Sequence, residues 1–585
     1  MLLEWRAARM NLLVLLALVS AAWSMQTLAQ TPNIGSASDI SRLRLPVPLP
    51  SLPKFDLRVQ TPEKTPTPRA VEDIDFDIKG IRVLGSSRYS EEELTEVFAD
   101  VTGRKVRIDE LRKKVSQLED KYRAEGFFLC RVFLPPQQVK NGIFTVQVVE
   151  GFISDVFVDG GVGPERAMIQ GMLASLMDKR PIDLKSLEQA LLILNDIPSV
   201  RISGTLRPGS KLGATELVVS VAPPAPATYV VGLNNQASKT LGPWALSVNA
   251  SIPRPLGAVG SLSLGLSSGL FPAEKLRVLT AQYAMPLGPS GAVLSLGALN
   301  AAARPKASLS SLGILSESTS LGPRIRVPMF RSVAQSLFFD LGVSVNRSET
   351  FLSANTDSQT SLTSDRTTVG DMGLSYQHSG FLGGTSQISF TLQRGLNALR
   401  AYRYEMYGTD LTSFPRPSSE GFAQNFAKRS LSILRLQGLS DSYSLAAALQ
   451  VQDSNDLLLA GDKVAFGGGV IGRGYDSGAI TGDRGYGSIV ELRWDRPQPL
   501  QWSWAAEAKL QAFIAYDFAH TTTLARPIAS VAASNGTIAS VSMGARLRTP
   551  AGQSIEAMIA RAERPVTSTD PRPNPRLLVN IIQVF

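Results

Sequence analysis

The chain has 585 residues, 44% of them hydrophobic and 19% charged, with 48 Gly, 36 Pro, two His and one Cys. That apolar fraction is too high for a disordered protein, and the charged fraction falls below the roughly 25% of soluble domains. His378 and His520 are too few for the His-rich sites of most zinc and non-haem iron enzymes, and the lone Cys130 excludes an intramolecular disulfide, a Cys-type zinc site and an iron–sulfur cluster.

The net charge of +9 is unevenly shared: residues 76–222 hold 20 basic and 20 acidic side chains, residues 223–585 hold 31 and 23. The excess is dispersed over short segments with no Lys/Arg run, which argues against a nucleic-acid partner. It suits a polar lumen, or loops facing anionic lipid headgroups.

Residues 1–29 have the layout of an export signal. Arg6 and Arg9 precede the apolar stretch Leu12–Ala22, and Thr27-Leu28-Ala29 supplies small residues for cleavage before Gln30. The stretch is too short for a bilayer span of roughly 20 residues, and a buried core helix is the bland alternative. No other segment offers 18 uninterrupted apolar residues, so no transmembrane helix is expected. Residues 30–75 are punctuated by proline from Pro32 to Pro68 and read as an extended linker, with Ser36–Leu43 as a short helix at most.

From residue 76 the pattern predicts folded units. Phe76–Val83 reads as a strand closed by Gly85, and Ser90 with Glu93 has capping-box spacing. A second helix is predicted over Ile108–Ala124 with Leu111, Val115, Leu118 and Tyr122 on one face. Strands over Phe127–Leu134 and Gly142–Val149 complete a small α+β unit at 76–151. The order repeats over 152–222: strand Ile153–Val158, helices Pro164–Leu176 and Asp183–Leu194, strands Ser199–Leu206 and Thr215–Val221. Exposed sheet edges in such units can bind an extended peptide by strand addition.

After Ala227 short alternating runs take over. Leu337, Phe339, Leu341, Val343 and Val345 alternate with Phe338, Asp340, Gly342 and Ser344, while Leu262–Leu266 and Val541–Leu547 follow the same period of two. A soluble β-sandwich alternates in the same way. The export signal, the length without a second interior and the final Phe585 favour a membrane barrel over 223–585, with Phe585 as a barrel C-terminal signal. About 22 residues per strand and connection gives about 16 strands.

Three passages carry a family resemblance. Gly126–Gly151 resembles the end of the first POTRA domain of two-partner secretion transporters, and Leu191–Val221 resembles their second. Phe466–Gly478, reading FGGGVIGRGYDSG, is similar to the signature loop of the Omp85 superfamily. Its tetrad is Gly472-Arg473-Gly474-Tyr475, where the superfamily usually has Val at the first position. The resemblance to the ShlB/FhaC/HecB type implies a membrane β-barrel of about 16 antiparallel strands preceded by two small α+β POTRA domains in the periplasm. It implies secretion of a large unfolded exoprotein of haemolysin or adhesin type, with an outer-membrane assembly factor of the same superfamily as the alternative. Outer-membrane lipid and lipopolysaccharide, and the barrel assembly machinery during biogenesis, are the further partners it implies. Many relatives also carry an N-terminal plug helix, which the prolines of residues 30–60 disfavour here.

In characterised relatives the loop, here about 460–485, folds into the lumen and its Arg pairs with an Asp on a wall strand. Carried over, this pairs Arg473 with Asp517. Parity agrees on the placement, since Ala512, Ile514, Tyr516 and Phe518 form one apolar face and leave Asp517 towards the lumen. Glu491 and Arg493 are expected as lumen wall charges, with Glu491 the next candidate partner. A second Arg-Gly-Tyr, Arg484–Tyr486, lacks the Gly-rich run and ranks behind the first. Gly467–Gly472 satisfies G-x-G-x-x-G, but no helix or parallel strand frames it, so no nucleotide cofactor is expected. No catalytic or metal site is assigned, and without a P-loop the energy for export is expected from folding of the partner outside the cell.

Overall fold

The computed structural model describes residues 56–59, 75–139, 141–161, 163–270, 276–305, 313–355, 358–399, 415–419, 421–502, 505–526, 531–567 and 570–585. The export signal, the short helix expected at Ser36–Leu43 and most of the Pro-rich stretch lie outside these residues.

The first soluble unit is organised by one cap and one helix face. Ser90 Oγ accepts the Glu93 N–H at 3.2 Å and the Glu93 carboxylate accepts the Ser90 N–H at 2.8 Å, which opens the helix Glu91–Val97. Leu111, Val115, Leu118 and Tyr122 recur on one side of the helix Ile108–Ala124, and all four are buried. They meet Phe144, Val146 and Val148 from the strand Ile143–Val149, whose alternate side chains point the same way. Each such side chain contributes about 1.5–3 kcal/mol on burial.

The continuous strand expected over Phe76–Val83 is two strands in two sheets. Asp75–Ile78 pairs antiparallel with Arg104–Arg107, and Gly80–Leu84 pairs parallel with Ile143–Val149. The Gly142 carbonyl accepts both the Lys79 and Gly80 N–H groups, at 2.8 and 3.4 Å, and so turns the chain from one sheet into the other. Arg104–Arg107 has only Val106 to mark it, a burden too small for a period to emerge from sequence. The expected strand Phe127–Leu134 shrinks to Arg131–Phe133.

In the second unit the sheet order is Leu57–Val59, Ile202–Pro208, Ala214–Val221, Phe152–Asp159. Leu57–Val59, from the stretch read as linker, pairs parallel with Ile202–Pro208, and Leu57 packs against the unit's core. Helices Gly163–Leu173 and Leu184–Asp196 cover the sheet, and Asp183 caps the latter by accepting the Ser186 N–H at 2.8 Å.

Sixteen antiparallel strands close into a barrel, from Thr228–Asn234 to Arg576–Val584. Closure runs from Val230 opposite Val584 to Asn234 opposite Asn580. A further short strand, Leu500–Trp502, pairs with the thirteenth, Ala505–Thr523. The alternation resolves the choice between sandwich and barrel. Met372 and Leu374 are 49% and 47% exposed, whereas Asp371 on the same strand is 6% exposed. Leu264, Leu341, Ile514, Met543 and Leu577 are likewise exposed, while Asp340, Glu491, Asp517 and Arg546 are buried. A soluble sandwich buries its apolar face; this sheet turns that face outward and encloses the charges, as a barrel in lipid must.

Candidate functional site: a loop docked inside the barrel

Between the eleventh strand, Tyr443–Asp453, and the twelfth, Arg484–Asp495, the chain turns into the lumen. Val464–Phe466 pairs with Ile480–Gly482 as the stem of a hairpin, and the glycine run forms its head. Gly467, Gly468 and Gly472 have φ of 119°, 95° and 89°, a region L side chains rarely adopt. A Cβ on Gly472 would also stand 2.7 Å from Ile538 Cδ1 and 2.8 Å from Gly467 Cα. The glycines therefore serve a tight head pressed on the wall.

The tetrad Gly472-Arg473-Gly474-Tyr475 is spent on wall contacts. Gly474 N–H donates to Ser540 Oγ at 3.0 Å. The Tyr475 hydroxyl lies 2.9 Å from the Ala539 carbonyl and 2.8 Å from the Arg564 carbonyl, and its ring joins an apolar cluster with Ile471, Ile489, Ala515, Ala519 and Ile538. Asp476 accepts from Ser238 Oγ at 3.1 Å and from the Lys239 N–H at 3.0 Å, which ties the head to the connection after the first strand.

Arg473 does not form the expected ion pair with Asp517. Its Nη1 stands 3.0 Å from Glu491 Oε2 and 3.2 Å from Ser542 Oγ. Asp517, on the lumen side with no exposure, instead accepts the Gly472 N–H at 2.8 Å and the Ser540 hydroxyl at 2.6 Å. Glu491 lies opposite Ala515 and Asp517 opposite Ile489, so the two carboxylates sit on the inner faces of adjacent strands, two residues out of step. The short carboxylate of Asp517 is taken up by the backbone of the turn, and the guanidinium extends to the longer Glu491.

Glu491 is the centre of the charged cluster. Besides Arg473 it accepts Arg493 Nε at 2.7 Å, and Arg546 Nη1 and Nη2 at 2.5 and 3.0 Å, the last pair bidentate. Arg546 also bonds Glu556 and lies 4.0 Å over the Phe513 ring. Three cations thus converge on one buried carboxylate. Arg493 donates into the cluster from the same strand as Glu491; of Arg546, Ser540, Ser542 and Glu556, which complete it, the sequence marks only Ser542 and Arg546, on the polar side of the alternation over Val541–Leu547. The second Arg-Gly-Tyr is wall, with Arg484 exposed at the start of the twelfth strand. Phe585 is exposed and exchanges two backbone hydrogen bonds with Tyr229 beside the closing seam. Among the described residues no group of three His, Cys, Asp or Glu stands where it could hold a metal ion.

A closed membrane barrel with a loop docked inside it, carried behind two small α+β units of which the first is a POTRA domain, defines a POTRA-bearing membrane barrel. The profile of the haemolysin secretion/activation proteins ShlB/FhaC/HecB matches residues 213–547, and that of the ShlB-type POTRA domain matches residues 76–151. The chain belongs to the ShlB/FhaC/HecB family. It is 25% identical over 229 residues to the outer membrane transporter CdiB of Escherichia coli, covering 38% of this chain and 39% of the relative. To CdiB of Dickeya dadantii it is 23% identical over 443 residues, 74% of this chain and 75% of the relative. The solved structure of CdiB from Escherichia coli superposes with a TM-score of 0.68 at 19% identity, over 89% of this chain and 93% of that one. The chain spans about 39% of the length of the first curated relatives it matches.

Proposed function

We propose that the chain is an outer-membrane pore that recognises a large partner exoprotein and passes it across the membrane, with its POTRA units in the periplasm. The observation that carries the reading is the loop fixed inside the barrel by Arg473, Gly474 and Tyr475, with Glu491 and Asp517 as its anchors on the wall. A wall that faces lipid with leucines and encloses serines, glycines and charges supplies a wet passage. The POTRA sheets offer edges to an extended chain by strand addition. The division into units over 76–151, 152–222 and 223–585, behind a leader and a linker, belongs to the same reading. So do an export cargo of haemolysin or adhesin type, contacts with lipid and lipopolysaccharide, insertion by the barrel assembly machinery, and a conduit's role without catalysis.

The test is deletion of residues 76–222. The remaining barrel should insert and stay heat-modifiable on gels while secretion of the partner stops. Secretion that survives the deletion removes capture by the POTRA units from the mechanism.

A further inference from the structure

The second unit meets three turns on the rim where the barrel's strands begin, bonded to two of them and packed on the third. Arg331 ends the sixth strand, Ile314–Arg331, and donates to Asp196 from Nε and Nη2 at 2.6 and 2.7 Å and to Ser336 Oγ at 2.5 Å. Its side chain is 8% exposed. In the turn that follows, the Val333 N–H donates to Glu188 Oε1 at 2.5 Å. In the turn between the second and third strands, Arg254 pairs with Glu165, which has no exposure at all, and the Gly260 N–H donates to Ser199 Oγ at 3.2 Å. In the turn between the fourth and fifth strands, Gly291 lies so close to the helix Leu184–Asp196 that a Cβ there would stand 3.5 Å from the Ile193 Cβ.

Both ion pairs run the same way, acid on the soluble unit and arginine on the barrel. Withdrawing the unit would break both ion pairs at once, together with the hydrogen bonds from the Val333 and Gly260 N–H groups. A hinge that opens in each transport cycle would place its strongest polar contacts elsewhere. We propose that Glu165, Asp196, Arg254 and Arg331 are positioning residues which clamp the second unit to the barrel rim throughout secretion. The unit is then a fixed guide beneath strands two to seven, and the exported chain enters beside it without displacing it. The proposal rests on the secretion reading for its export readout, and on none for its structural readout.

The test locks the contact in the full-length protein. Ile193→Cys with Gly291→Cys would place two Cβ atoms at 3.5 Å, within disulfide range. Cys130 will not compete, since it is buried and burial pushes its thiol up to about 11. The expected result is a disulfide formed in the cell envelope and export within about twofold of the reduced protein. Export lost on oxidation and regained on reduction overturns the clamp, as does failure of the disulfide to form in a folded barrel.

Because Gly291 has φ of 77° and a cysteine there is strained, a second set of variants keeps the idea testable. Asp196→Arg and Arg331→Asp should each lower export about tenfold, and the two together should restore it. Normal export in both single variants overturns the proposal. If the wild type exports nothing, the secretion reading has failed, and protease protection of the second unit, lost in the singles and regained in the swap, still reads the clamp.

Discussion

Glu491 Oε2 stands 3.0 Å from Arg473 Nη1, and this one contact joins a loop inside the lumen to a wall strand through a carboxylate that two further arginines already hold. The arrangement fixes the loop by a shared anion. Removing it would leave three cations facing one another, at a cost on the order of 3–5 kcal/mol for a fully buried site and less where lumen water reaches it.

Glu491→Gln should therefore reduce secretion more than Asp517→Ala, with the amount of barrel near normal in both. Arg473→Ala combined with Glu491→Gln should be little worse than Glu491→Gln alone, because both remove one interaction. Quantifying exported partner against folded barrel across the single and double variants decides it. Full additivity between Arg473→Ala and Glu491→Gln would mean that the pair is not coupled.

Tyr475→Phe keeps the ring in its apolar cluster and deletes only the hydroxyl shared with Ala539 and Arg564. The loss is about 0.5–1.5 kcal/mol, since the Ala539 carbonyl keeps the Glu563 N–H and only the hydroxyl's own bonds disappear. The loop should loosen while the barrel stays closed, which appears as faster proteolysis within 467–479 and unchanged heat-modifiability. A loop as protected as the wild type's would show that the hydroxyl contacts do not hold it.

Gly474 has ordinary φ, so Gly474→Ala tests space alone. The added Cβ would come 2.5 Å from Ala562 N and 2.8 Å from Ala562 Cα, backbone that cannot move aside without distorting the fifteenth strand, Gln553–Ala562. The expected outcome is a displaced loop and reduced secretion, as in Tyr475→Phe or more severe. Wild-type export in Gly474→Ala would mean that the head does not sit against this strand during transport.

In the second unit, burial raises the Asp183 carboxyl, but the N–H and hydroxyl of Ser186 outweigh it and hold it below the usual carboxylate range. A depressed folded value stabilises the helix Leu184–Asp196 above the ordinary carboxylate range, and that stability is lost as the pH falls through the folded value. Amide exchange across the helix should quicken at acid pH in the wild type. Asp183→Ala should cost about 1 kcal/mol near neutrality and flatten the acid dependence. An unchanged acid profile in Asp183→Ala would assign the effect to another group.

On the outer wall, Leu341 is exposed where its neighbour Gly342 is buried. Leu341→Arg would carry a charge into lipid at about 2–4 kcal/mol near mid-membrane, whereas Ser344→Arg points into the lumen. Folded barrel should fall in the first and persist in the second. Equal amounts would contradict the assigned faces.

Which side chains face the lumen was legible from parity. Asp517 is bracketed by Ile514, Tyr516 and Phe518, and a period of two leaves it no other side. Which lumen groups meet was not legible, because contact across strands depends on register, and register follows from hairpin connections whose lengths vary. Glu491 and Asp517 differ by a two-residue offset between adjacent strands, and that offset assigns the guanidinium to one and the backbone N–H to the other. The helix Ile108–Ala124 was readable to its ends because Leu111, Val115, Leu118 and Tyr122 keep helical spacing throughout. The break at Lys79 was not, since a carbonyl from Gly142 imposes it.

The outward apolar side chains of the wall alternate with inward residues that are mostly small, polar or charged, and the mean hydropathy of the whole chain is only +0.04. A protein with such a spacing carries its lipid affinity in cipher. While unfolded it offers no stretch that a bilayer could retain, so it can be handed through one membrane and kept in water without being stopped. Only pairing of neighbours in register gathers the scattered methyl groups onto one face. Affinity for lipid is thus a product of folding in this chain, and a slip of a single residue in any strand would erase it there.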